Sequence, residues 1–152
     1  MKTATALALV SAVSGAVIEP RQTRPATEFD VTDFSASCQP HSVLCFFSFN
    51  VAAAGTTATT TCSATVQGPD SLPAVGLRAC DDPRFSWAFE RATDGAGHGL
   101  TVDWESTPGS ANQTGTHHIP AADVVSENHG SVTTERYVGP AAFVISPLRE
   151  QQ

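Results

Sequence analysis

The sequence predicts an all-β fold: a single-domain antiparallel β-barrel or sandwich of about eight short strands, braced by two disulfides. Three observations carry this expectation. The first is period-two alternation. Phe47, Phe49 and Val51 fall on one face against Ser48 and Asn50, and Cys62, Ala64 and Val66 alternate with Thr61, Ser63 and Thr65. Alternation of this kind marks a strand with one buried face. The second is punctuation by turn formers, as at Ala54-Gly55, Gln67-Gly68-Pro69-Asp70, Asp81-Asp82-Pro83 and Gly139-Pro140, with no long amphipathic helix between them. The third is four cysteines in a chain that opens like a secretory precursor.

That opening is residues 1–16. Met1-Lys2 is a short basic start, Ala4 to Val13 an apolar run, and Ser14-Gly15-Ala16 offers the small residues a signal peptidase requires, with cleavage expected after Ala16. The run is too short for a permanent bilayer anchor. Secretion implies an extracellular, oxidising compartment, so the cysteines are expected to form disulfides rather than metal or redox sites. About 136 residues remain, the length of one domain. The only lysine, Lys2, leaves with the leader, so seven arginines face fifteen acids, about −8. An acidic, lysine-free surface argues against nucleic acid and against anionic membranes as partners. Residues 17–27 (VIEPRQTRPAT) lack periodicity and are expected to form a flexible arm, with Arg21 and Arg24 as candidate trimming sites.

The β domain is expected over residues 28–148, with 149–152 as a C-terminal tail. A first strand is expected over Glu28 to Ser35, with Phe29, Val31 and Asp33 on one face. Phe34 then has the wrong parity, which predicts a bulge or two-sided burial near Asp33. Cys38 and Cys45 bracket a turn-rich loop containing Pro40. Four cysteines allow three pairings, and sequence alone does not choose among them; the short loop favours Cys38–Cys45, which leaves Cys62–Cys80. In the next hairpin an even-numbered loop about Ala54-Gly55 would set Phe47 opposite Cys62 and Phe49 opposite Thr60, keeping the rings inside.

Leu72 to Val75 follows as a short edge segment, and Phe85 to Arg91 as a strand with Phe85, Trp87 and Phe89 on one face. Asp94 to Gly99 is a hairpin loop leading to a strand in which Leu100, Val102 and Trp104 alternate with polar residues. Thr107 to Gly115 reads as a polar loop carrying the N-glycosylation sequon Asn112-Gln113-Thr114. Short strands are expected over Thr116–Ile119, Val132–Val138 and Phe143–Ile145, with one helical turn from Pro120 to Val125.

Candidate chemistry is thin. His117-His118 invites a metal, yet neighbours on a strand point to opposite faces. Asp81-Asp82 before Pro83 reads as a turn rather than a calcium loop, because no further carboxylate follows at the required spacing. No G-x-S-x-G elbow, H-E-x-x-H, P-loop or close Cys-x-x-Cys pair occurs. Phe85, Trp87 and Phe89 suit core packing better than a ligand cavity, whereas the off-parity rings of Phe34 and Phe46 are candidates for exposed contact. No residue is assigned to catalysis, a cofactor or a metal.

The run from Phe29 to Cys80 resembles the fungal family of secreted β-barrel proteins named for the Alternaria major allergen. The residues that carry the likeness are Asp33-Phe34, Ser48-Phe49-Asn50-Val51 and Cys62-Ser63-Ala64, and Arg136-Tyr137-Val138-Gly139-Pro140 looks like fungal hypersensitive-response elicitors of related build. The resemblance implies a secreted fungal β-barrel of allergen, elicitor or effector type and transfers no catalytic residue. The family's additional C-terminal bridge and subunit-linking N-terminal cysteine have no counterpart, since no cysteine follows Cys80 and Cys38 has a near partner. A monomer without covalent dimerisation is therefore expected. The functional expectation is a non-catalytic interaction protein acting on a host or extracellular partner; the alternative is a small secreted hydrolase with an acid/histidine site assembled by the fold.

Overall fold

The structure, a computed structural model, describes residues 26–146 and 148–151. The expected leader 1–16 and all but the end of the 17–27 arm lie outside these residues. Among the described residues eleven strands form two antiparallel sheets that face each other without closing into a barrel. The strands are β1 (Phe29–Cys38), β2 (Leu44–Ala53), β3 (Thr59–Gln67), β4 (Val75–Ala79), β5 (Phe85–Arg91), β6 (Gly97–Glu105), β7 (Asn112–Pro120), β8 (Val124–Asn128), β9 (Thr133–Tyr137), β10 (Phe143–Ile145) and β11 (Arg149–Gln151). The first sheet has the order β3-β2-β1-β9-β8, with β10 also pairing with β1; the second has the order β11-β7-β6-β5-β4.

Alternation builds the core. Phe47, Phe49 and Val51 of β2 face Phe85, Trp87 and Phe89 of β5 and Leu100, Val102 and Trp104 of β6 across the sandwich, all buried. Phe47 meets Phe89 with ring centroids 4.9 Å apart, and Phe49 meets Trp87 edge-on at 5.3 Å. Such tilted and edge-to-face contacts suit the aromatic quadrupole and add to the area term.

The β2–β3 register differs from the expected one by two residues. Phe49 lies opposite Cys62 and Phe47 opposite Ala64, because the last pair is Ala52 with Thr59 and six residues form the connection. A two-residue shift preserves parity, so the rings remain inside. In β1 the register to β2 shifts between Thr32 and Ser35, and Asp33 sits at φ 54°. This bulge reverses the alternation: Phe29 and Val31 face inward before it, Phe34, Ala36 and Cys38 after it. Phe34 is therefore a core ring (3 % exposed), which corrects its expected surface role.

Two disulfides fasten this frame. Cys38 and Cys45 are directly opposed on β1 and β2, with Cα atoms 3.9 Å apart. Cys62 of β3 is bonded to Cys80 just past β4, with Cα atoms 4.3 Å apart, and so ties one sheet to the other.

Three expectations at the C-terminal end are corrected. The helical turn shrinks to a 3-10 turn at Ala121–Asp123, after which Val124–Asn128 extends as β8 along β9. Asn112–Gly115 is strand rather than loop, pairing with Val102–Glu105. Arg149–Gln151 is no tail, since it pairs with Asn112–Thr114. Gly115 explains the close approach there: a Cβ would sit 2.5 Å from Ile145 and 2.6 Å from Leu148.

Candidate functional site

The loop bracketed by Cys38 and Cys45 forms one wall of a shallow cavity of about 440 Å³ on the outer side of the first sheet. Phe46 borders it. Odd-numbered β2 residues point inward, so Phe46 points outward; its partners across the sheet are Ser37 and Thr65, too small to cover a phenyl ring. It is left 42 % exposed. Pro40 and the disulfide hold the adjoining wall, and Ser42 and Leu44 fold the loop back by bonding to Gln39.

The opposite wall comes from β8 and β9. Arg136 of β9 donates from Nε to Glu127 Oε1 at 3.0 Å, with a second bond from its terminal nitrogen. Hydrogen bonding from Arg136, helped by its charge and that of His129, holds the Glu127 carboxyl below its ordinary pKa; the Arg136 guanidinium is raised in turn. His129 Nε2 lies 3.1 Å from Thr134 Oγ1 and 3.9 Å from Glu127 Oε2. The surface therefore combines an exposed aromatic ring, a matched ion pair and an imidazole.

Glu127, His129 and Thr134 were the structure's best test of the hydrolase alternative, and their geometry is wrong for it. A relay needs the acid on one ring nitrogen and the nucleophile on the other. Here both groups meet Nε2, Thr134 is buried (2 % exposed), and Arg136 already claims the carboxylate. The sequence singled out Phe46 and the neighbouring loop and reached Arg136 only through the family resemblance; it missed Glu127 and Thr134, on β8 and β9 with little apolar alternation, and His129, in the connection between those strands.

The remaining sequence candidates do not converge on this surface. His117 is half-buried and stacked on Phe143 with centroids 3.8 Å apart, while His118 is exposed opposite Gly99. Burial, and secondarily His118, lowers the His117 pKa, with Asp123 opposing. Among the described residues no three His, Cys, Asp or Glu side chains are grouped for a metal. Asp82 closes a turn: it accepts from the Arg84 backbone at 3.0 Å and pairs with its guanidinium at 2.6 Å, which lowers its pKa. Phe85, Trp87 and Phe89 are core.

Asn112 is exposed at the start of β7. The loop before it and the Cys38–Cys45 loop occupy opposite ends of the sandwich. Phe85, paired with Trp104 beside that loop, packs on Phe29, whereas Phe89 packs on Phe47 towards the disulfide end. The two loops cannot form one continuous contact surface.

No protein-family model matches this chain, and no curated protein matches it either. Solved structures do. A crystal structure of the Alternaria alternata allergen Alt a 1 superposes with a TM-score of 0.55 at 18% identity, covering 88% of this chain and 96% of the allergen chain. A second crystal structure, of the Alternaria alternata major allergen Alt a 1, gives 0.53 at 19%, covering 82% and 94%. The two-sheet, disulfide-braced architecture of this chain is thus the fold of the Alternaria allergen that its residues 29–80 resemble.

Proposed function

We propose that this is a secreted, non-catalytic fungal interaction protein of allergen, elicitor or effector type, which acts by binding a host or extracellular protein partner. The observation that carries the reading is the Phe46 surface: an uncovered aromatic ring beside a disulfide-held loop, flanked by the Arg136–Glu127 pair. Aromatic anchors next to arginine are the usual sources of interface energy, and loops on a rigid β scaffold commonly hold recognition residues. The allergen fold and the unsuitable geometry at His129 favour this reading over hydrolysis. Of the two rings expected at the contact, Phe46 is retained and Phe34 is not, and the contact lies at the Cys38–Cys45 loop alone. Asn112 is proposed to carry a glycan at the other end of the sandwich, clear of the contact.

The test uses protein secreted from a fungal host, first checked for an N-terminus at Val17. It is applied to plant tissue, and an extract from that tissue is passed over immobilised protein. Phe46→Ala and Arg136→Ala should each weaken response and capture about tenfold or more, whereas the double change His117→Ala with His118→Ala leaves both intact. Full activity in both surface variants would reject this surface; loss in the double-histidine variant with an unchanged melting curve would favour catalysis or a metal.

A further inference from the structure

Residues 34–69 contain no Asp, Glu, Lys or Arg, in a chain that is 15% charged. They build half of β1 and all of β2 and β3, so the outward side chains of these strands form a surface almost free of charge. The outer face of the second sheet shows the contrast: it carries Glu90 on β5 and Asp103 and Glu105 on β6. Charge of this kind keeps a solvated face soluble. The face of β1–β3 dispenses with it and yet is not apolar.

Pairing sets its side chains in rows. Ser35, Ser48 and Ser63 stand abreast on β1, β2 and β3, and Thr32, Asn50 and Thr61 form the next row. All are exposed except Asn50, which is half-buried. Neighbours within a row are about 4.8 Å apart, and the rows are about 6.7 Å apart. β2 and β3 pair without a register break, so these columns run straight. The Asn50 row is also fixed in place. Thr61 Oγ1 donates to Asn50 Oδ1 at 2.8 Å, and Asn50 Nδ2 donates to Asp33 Oδ2 at 3.0 Å. The bulge brings Asp33 to this margin of the face. Its other carboxylate oxygen lies outside that chain of bonds and can accept from a ligand hydroxyl, a charge-assisted bond of the stronger kind.

We propose that this face binds an extended β-1,4-linked glucan chain laid along β2 and β3, hydrogen-bonded to Asp33, Ser48, Thr61 and Ser63. The chemistry of the rows selects the occupant. Serine and threonine hydroxyls both donate and accept, as do those of a sugar, and a neutral face costs less to desolvate than one bearing ions. A protein partner would want aromatic or arginine anchors, and those lie in the cavity at Phe46 and Arg136. Straight columns suit an extended chain, whereas a coiled glucan would touch one row. Both ends of the Asn50 amide are engaged within the protein, which leaves none for an acetamido group and sets an unsubstituted glucan ahead of chitin. This goes beyond the protein-binding reading above, because neither row borders the Phe46 cavity.

An open contact of this kind is weak, with a Kd of about 0.1–1 mM for a six-sugar chain. No ion pair forms, so salt leaves it unchanged. That separates it from adsorption of a charged protein.

The secreted protein should sediment with microcrystalline cellulose equally at low and high salt. Titration with cellohexaose should shift the amide resonances of Thr32, Asp33, Ser48, Asn50, Thr61 and Ser63 and leave those of β5 and β6 in place. Asn50→Ala unlinks Thr61 from Asp33, and Ser63→Lys sets a long charged side chain over the middle row. Each should weaken binding about tenfold. Ser63→Lys, at an exposed position, decides the matter if Asn50→Ala disturbs the bulge. Phe46→Ala should bind glucan as the wild type does, so this proposal and the protein-binding reading fail separately. Absence of cellulose binding in the wild type overturns the proposal. So do resonance shifts confined to another face, binding reversed by salt, a preference for chitin, or a folded Ser63→Lys variant that binds as before.

Discussion

Phe34 on β1 and Phe46 on β2 start from the same position in the sequence: each breaks the alternation of its neighbours. The structure sends them to opposite places. Asp33 adopts a left-handed backbone, the register slips, and Phe34 turns into the core against Tyr137 at 4.8 Å and Phe49 at 5.9 Å. β2 has no such break, so Phe46 stays outside. Burial of a ring is thus decided by one residue of backbone, and the bulge separates a structural phenylalanine from a contact phenylalanine.

The sharpest way to break this comparison is to truncate both rings. Phe34→Ala should destabilise by about 3–5 kcal/mol through lost transfer energy and a cavity, as should Trp87→Ala deeper in the same core. Phe46→Ala should stay within about 0.5 kcal/mol, as surface changes do. Denaturant titration reads all three, and equal losses at Phe34 and Phe46 would undo the distinction. Next in size is the inter-sheet bridge. Replacing Cys62 and Cys80 by alanine should cost about 2–4 kcal/mol, and more than replacing Cys38 and Cys45, because the closed loop is longer: the separations are 18 and 7 residues. Thermal melts of the two double variants give the order. The bulge itself comes third. Asp33→Val forces a β-branched side chain into the left-handed region and should cost about 1–2 kcal/mol, whereas Asp33→Gly, which loses only the bond from Asn50 at 3.0 Å, should cost less.

Those contrasts also mark what the sequence could reveal. The faces of β2, β3, β5 and β6 were readable because each buries one side against the other sheet, and period two survives even a two-residue error in register. Trouble near Asp33 was legible from Phe34's parity; its outcome was not, because the parity break does not say whether the ring turns in or out. β8 and β11 were hidden because Ser126-Glu127-Asn128 and Arg149-Glu150-Gln151 bury little and exist by pairing with β9 and β7. The candidate surface was half legible for the same reason. Phe46 and the Cys38–Cys45 loop stand out locally, while Glu127, His129, Thr134 and Arg136 become neighbours of that loop only when β9 pairs with β1 at Ser37 and Arg136.

The smallest effect extends the comparison from phenylalanines to histidines. His129 is at the surface, with its ring nitrogen bonded to Thr134. His98, at the start of β6, is 4 % exposed and stacked on Phe89 at 5.0 Å, and neither of its ring nitrogens has a hydrogen-bond partner. Burial, reinforced by the charge of Arg91 and opposed by Glu135, lowers its pKa. Below the ordinary histidine value near 6.5 the unfolded chain takes up a proton that folded His98 resists. The unfolded state then binds more protons, so stability falls as pH drops through 6.5 and keeps falling until the folded pKa is reached. His117, lowered mainly by burial against Phe143, acts in the same direction. Asp82 and Glu127, also lowered, lose their contributions only at more acid pH, below the ordinary carboxyl values of 3.8 and 4.5. The interval from about pH 7 to 5 therefore isolates the histidines. The melting temperature should drop across it by less than about 5 °C. His98→Phe should reduce that drop, and adding His117→Phe should nearly remove it. A flat profile in the wild type, or a slope unchanged in the His98→Phe, His117→Phe double variant, would show that burial does not govern these rings as the structure places them.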